Sequence, residues 1–133
     1  MNEISRESRL RFNRENRDDS QAPRLVETRR GASVLYRERY LYSKYNPEEA
    51  IDRIVACTEI KNQTLIICTS PLLGYGLEKL SEKTPSDSFI LLTEGNPDLY
   101  EFSLDYISAL HLPEEKTEYI FLKKGNDILK WLE

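Results

Sequence analysis

Three short runs rich in β-branched and aliphatic residues, Thr64-Leu65-Ile66-Ile67-Cys68, Ser88-Phe89-Ile90-Leu91-Leu92-Thr93 and Tyr119-Ile120-Phe121-Leu122, alternate with segments that read as helices. This alternation constrains the fold more than any other feature of the chain. Continuous apolar runs of this length fit strands buried on both faces of a parallel sheet, which show no polar side in their pattern. The intervening segments carry helix starts: Asn96-Pro97-Asp98 offers a cap, a proline at the first helical position and an acid against the helix dipole. The spacing predicts helices over about 73–83, 96–110 and 128–132, the last looking cut short at Glu133. Leu77 and Leu80 face inward on the first, and Leu99, Phe102, Ser103, Tyr106 and Leu110 form a stripe on the second. A β-α-β-α-β-α order with short loops calls for a parallel sheet with right-handed crossovers, half of a Rossmann-like nucleotide-binding fold.

The segment before this unit reads differently. Leu25-Val26-Glu27-Thr28, residues 32–36 and Tyr40-Leu41-Tyr42 are short β-rich runs separated by the charged turns Arg29-Arg30-Gly31 and Arg37-Glu38-Arg39. They predict a small antiparallel meander, with Tyr36, Tyr40, Tyr42 and Tyr45 as packing and cross-strand residues. Asn46-Pro47-Glu48-Glu49 then opens a helix to about Cys57, with Ala50, Ile51, Ile54, Val55 and Thr58 on one buried face. The fold class is therefore α/β: a β-meander followed by a partial Rossmann-like sheet over 23–133, preceded by a charged arm over 1–22.

Charge and composition narrow the function classes. The chain has 133 residues and a net charge of −4, which leaves room for one domain. Residues 1–44 sum to +4 and residues 45–133 to −8, a basic head on an acidic body. The head is interrupted by Glu3, Glu7, Glu15, Asp18 and Asp19, and Phe12 is its one aromatic before Tyr36, so it lacks the stacking residues of a nucleic-acid surface. A mobile arm or a protein-docking helix is the expected role. The longest uncharged apolar stretch, 64–77, is too short for a membrane span, and residues 1–17 are charged where a signal peptide is apolar, which points to the cytoplasm and to no membrane partner. Cys57 and Cys68, 11 residues apart, have no metal-ligand neighbours, and both are expected to be buried. No metal or other cofactor is expected.

The candidate site is the first strand-to-helix turn, Cys68-Thr69-Ser70-Pro71-Leu72-Leu73-Gly74-Tyr75-Gly76, because Rossmann-like folds bind ligands at the carboxyl ends of their strands. Glu94 closes the next strand 20 residues after Gly74, about where such folds place an acid for ribose hydroxyls. Ser70, Gly74, Tyr75, Gly76 and Glu94 are thus the ligand-binding candidates. Against this, the early positions of the turn hold Ser70, Pro71 and Leu72 where backbone N–H groups need glycines to approach a phosphate. Gly74 and Gly76 also suit close helix packing, and Glu94 suits a turn cap. His111 reads as a helix-terminal residue. Asp98, Glu101 and Asp105 read as a solvated helix face, so no catalytic residue is assigned.

Residues 31–102 resemble the amino-terminal region of the motility accessory factor family, proteins related to the 6-hydroxymethylpterin diphosphokinase-like group and implicated in sugar transfer to flagellin. The resemblance rests on Leu41-Tyr42-Ser43-Lys44-Tyr45-Asn46-Pro47-Glu48-Glu49-Ala50, on Leu73-Gly74-Tyr75 and on Glu94-Gly95-Asn96-Pro97-Asp98-Leu99, in that order. Where the family shows a glycine-rich turn, this chain has Leu72 and Ser70. The resemblance implies an amino-terminal, non-catalytic domain of a glycosyltransferase, the transferase-like domain lying downstream, and a role in docking or assembly with a protein partner or with the rest of the same polypeptide. Two other readings stay open: a nucleotide- or S-adenosylmethionine-type binding module, and a stand-alone adaptor acting through its arm. An unpaired meander edge leaves a homodimer open as well.

Overall fold

The computed structural model describes residues 22–43, 45–123 and 127–132. The predicted arm, Ala22 apart, lies outside the described residues.

The meander forms as β1 (Arg24–Thr28), β2 (Gly31–Tyr36) and β3 (Arg39–Tyr40), antiparallel and in that order. Thr28 pairs with Gly31 and Arg24 with Leu35, so Arg29 and Arg30 make the first turn. The second turn takes Arg37 and Glu38 at φ +49° and +66°, the mirror-image turn whose twist matches that of the flanking strands. β3 is shorter than the predicted 40–42. Leu41 N–H still reaches Val34 C=O, but Tyr42 leaves the ladder and its hydroxyl donates to Pro71 C=O.

A helix α1 (Glu49–Cys57) leads to the second sheet, β4 (Leu65–Thr69), β5 (Phe89–Glu94) and β6 (Thr117–Phe121), parallel and in sequence order. Helices α2 (Leu77–Lys83) and α3 (Pro97–Ser108) provide the crossovers, and α4 (Asp127–Leu132) follows β6. The mixed α/β architecture is therefore the one expected. Register partners share a face of the sheet. Ile66, Cys68, Ile90, Leu92 and Tyr119 project to one side, where they pack with Val55 of α1, Leu77 and Leu80 of α2 and Ile107 of α3. On the opposite side, Trp131 of α4 stacks on Phe89 at 5.4 Å, and its Nε1–H donates to Glu118 Oε2 at 2.6 Å.

Several expectations are corrected by this packing. The 64–68 run is not buried on both faces: Leu65 is 37% and Ile67 45% exposed, because β4 has β5 as its one neighbour among the described residues. In α1, Val55 is buried, while Ala50 is exposed and Ile54 is 66% exposed. The first crossover helix begins at Leu77 rather than 73, since Ser70, Leu72, Gly74 and Gly76 all take positive φ, which no right-handed helix tolerates. The buried stripe of α3 is rotated to Leu99, Tyr100, Ser103, Leu104 and Ile107, because the helix packs on the sheet and on the meander together. Glu101, expected in water, is buried, and Cys57 is exposed and Cys68 half-buried where both were expected inside.

Asn96 caps α3 as its sequence predicts, its Oδ1 accepting from Asp98 N–H at 2.9 Å and Leu99 N–H at 3.3 Å. Two lysines close other helix ends, a feature hidden in the sequence. Lys83 Nζ donates to Val55 and Thr58 carbonyls at the end of α1, and Lys116 Nζ to Ser81 and Thr84 carbonyls at the end of α2.

Candidate functional site

The carboxyl ends of β4 and β5 adjoin, as the crossover topology requires. Ser70 N–H donates to Thr93 C=O at 2.8 Å, which places Ser70 beside the end of β5 where Glu94 stands. The structure therefore brings these two candidates to one end of the sheet. Ser70 is exposed, and its φ is +52°. Glu94 is 5% exposed; its Oε2 accepts from the Gly95 and Asn96 N–H groups at 2.9 and 3.1 Å, while its Oε1 is buried with no hydrogen-bond partner among the described residues. Half of this carboxylate is a turn cap, and half is unused.

Gly74 and Gly76 face the helices. A Cβ on Gly74, at φ +79°, would lie 2.5 Å from Leu110 Cδ1, and one on Gly76, at φ +78°, would lie 2.7 Å from Ile51 Cγ2. Each glycine combines a left-handed backbone with a close approach that a side chain would block. Tyr75 turns toward the meander: its hydroxyl donates to Ala32 C=O at 2.5 Å and accepts from Ala32 N–H at 3.2 Å.

Tyr75, a ligand-binding candidate in the sequence, belongs to a seam with Tyr36 and Tyr42, which sequence reasoning took only as packing. Tyr42 stacks on Tyr75 at 4.9 Å, donates its hydroxyl to Pro71 C=O at 3.1 Å and accepts from Leu73 N–H at 3.2 Å. Tyr36 donates to Asp98 Oδ2 at 2.9 Å and accepts from Asn96 Nδ2 at 3.3 Å, while its ring packs with Leu72 and Leu99. Three phenols from the meander and the turn thus satisfy backbone and side-chain groups at the strand ends, the crevice where a doubly wound sheet ordinarily receives its ligand. Burial pushes the Tyr42 phenol up to about 12, the hydrogen bond from Leu73 opposing it, and burial likewise raises Tyr36 and Tyr75. These hydroxyls are neutral donors around pH 7. The only sequence signal for the seam is the excess of tyrosine between 36 and 45, followed by Tyr75.

No group of three or more His, Cys, Asp or Glu residues suited to a metal ion occurs among the described residues. Among the same residues no helix is long and apolar enough to cross a membrane. His111 is exposed at the end of α3.

No family model matches the chain. Over 93 residues, 70% of its length, it is 47% identical to an uncharacterized protein of Treponema pallidum (strain Nichols). The chain spans about 15% of the length of that relative.

Proposed function

We propose that this chain acts as a non-catalytic amino-terminal domain of a motility-accessory-factor-like glycosyltransferase, serving docking or assembly. The observation that supports this reading is the tyrosine seam. At the strand ends the hydroxyls of Tyr36, Tyr42 and Tyr75 are each bound to a protein group, and the cavity of about 310 Å³ that reaches Ser70, Tyr75 and Gly76 is lined mostly by apolar side chains. A similar sequence within a polypeptide several times longer is in keeping with a domain that works beside others. The test is the length of the native polypeptide in its source cell, by immunoblot and intact mass. A product of several hundred residues is expected, and a product of 133 residues overturns the reading.

Glu94 favours a second reading, a small-molecule-binding module. A buried carboxylate oxygen without a partner beside the exposed Ser70 suits a ligand that donates hydroxyl hydrogens. In this case nucleotides or S-adenosylmethionine at millimolar concentration raise the melting temperature saturably, and Glu94→Ala abolishes the rise. No shift across such a panel removes this reading.

A further inference from the structure

We propose that the free edge of β4 is the seat of a further parallel, apolar β-strand, contributed by the polypeptide that follows α4 in longer proteins of this kind. The inference deepens the assembly reading above by naming its surface, and it rests on that reading.

The hydrogen-bond pattern identifies the backbone groups left unused among the described residues. Ser70 N–H bonds Thr93 C=O, and Thr64 C=O accepts from Phe89 N–H, so the even-numbered residues of β4 turn their backbone groups to β5. The N–H and C=O groups of Leu65, Ile67 and Thr69 then point to the opposite edge. That edge is apolar on both sides. On the α4 side stand the half-exposed side chains of Leu65 and Ile67. On the other side a groove of about 310 Å³ opens between α1 and β4, lined by Ile51, Ile54 and Thr58 above and Ile66 and Cys68 below. Ile54, 66% exposed, overhangs a space that one apolar strand would fill. An open edge of this kind invites pairing unless charge or a bulge protects it, and β4 has neither. β6, the other outer strand, carries Glu118 and is the less inviting.

The placement of α4 fixes the direction. α2 and α3 lie on the Ile90 face and carry the chain from β4 to β5 to β6; α4 contacts Phe89 and Glu118 on the opposite face. A right-handed crossover through a helix on that opposite face leads back across the sheet and delivers a parallel strand beyond β4. Leu129 and Leu132 of α4 remain exposed, as expected of a helix awaiting a neighbour. The Treponema pallidum relative is several times longer than the 93 residues matched in it, which are 15% of its length.

Hydrogen exchange on the 133-residue chain by itself and on the full-length relative tests this. A 93-residue match within 133 residues necessarily spans the β4 positions, so amides matched to Leu65, Ile67 and Thr69 can be followed in the full-length relative as well as in this chain. In this chain those three amides are expected to exchange roughly 100-fold or more faster than in the relative, while Ile66 and Cys68 are protected in both. Ile67→Pro, which deletes one outward N–H, should shift the melting midpoint of this chain by a few degrees and that of the relative, at the matched position, by clearly more. Equal exchange at the three amides in the two proteins overturns the proposal. So does protection in this chain that fades on dilution, because the occupant is then a second copy. If the relative protects the meander instead of β4, the proposal falls and the assembly reading stands; if it protects nothing beyond this chain, both fall.

Discussion

β4 and β5 are written in nearly the same alphabet, Leu-Ile-Ile-Cys-Thr against Phe-Ile-Leu-Leu-Thr-Glu, and lie side by side in register, yet their environments differ. Every residue of β5 after Phe89 is buried, whereas β4 alternates between exposed and half-buried. An apolar run therefore reports the surroundings a strand is built for, and the burial it attains depends on its neighbours. β5 has a strand on each side, helices α1 to α3 on one face and Trp131 of α4 against Phe89 on the other; β4 has a strand on one side and a groove on the other. The mismatch between the composition of β4 and its exposure locates a surface meant to be covered.

The contrast is broken most directly at one register pair. Leu91 and Ile67 are partners on the same face, the first fully buried and the second half-exposed. Leu91→Ala should cost about 2–5 kcal/mol in denaturant unfolding, through lost burial and a cavity. Ile67→Ala should cost about 1 kcal/mol or less, because much of its surface already meets water. Equal losses would mean that β4 is covered in solution.

Gly76→Ala probes the turn between the two strands. The left-handed backbone and the approach to Ile51 and Val55 together predict a loss of about 1–3 kcal/mol, while Ser70→Ala on the exposed part of the same turn should stay within about 0.5 kcal/mol. A neutral Gly76→Ala would show that α1 can move away from the sheet.

The smallest effect is expected at the meander. Tyr36→Phe removes one hydroxyl from Asp98 and Asn96 and should cost about 0.5–1.5 kcal/mol. Alkali sharpens the same point through Tyr42, whose phenol is raised from 10.0 to about 12 in the folded chain. The folded state then holds its proton more tightly than the unfolded one, so the contribution is fully present below pH 10 and is lost as pH rises through the folded value. Equilibrium unfolding at pH 8, 10 and 11 should show stability falling above pH 10, less steeply in Tyr42→Phe.

The parallel unit was legible because its signals are local: apolar runs of strand length, and Asn-Pro-acid starts such as the one that caps α3. The meander was legible from its turns. What escaped was long-range. Tyr36 meets Asp98 across 62 positions and Tyr75 meets Ala32 across 43, and nothing in the spacing of either tyrosine announces the partner. Glu101 was assigned to water because helical periodicity sees one burying surface, whereas α3 lies against two. For the candidate turn, sequence placed Ser70 and Glu94 at one sheet end, but it could not separate a glycine that cradles a ligand from one that makes room for Leu110 or Ile51, since both need the same missing Cβ.

The seam between meander and sheet has a temporal consequence. Its hairpins close through contacts a few residues apart and can form within microseconds of leaving the ribosome. Their landing surface, ending at Asp98, does not yet exist when Tyr36 emerges. At roughly 5–20 residues per second, the 62 intervening positions take about 3–12 s to be made. Throughout that interval the tyrosine-bearing face waits in water, so the meander, first of the described elements to be synthesised, is among the last to be seated.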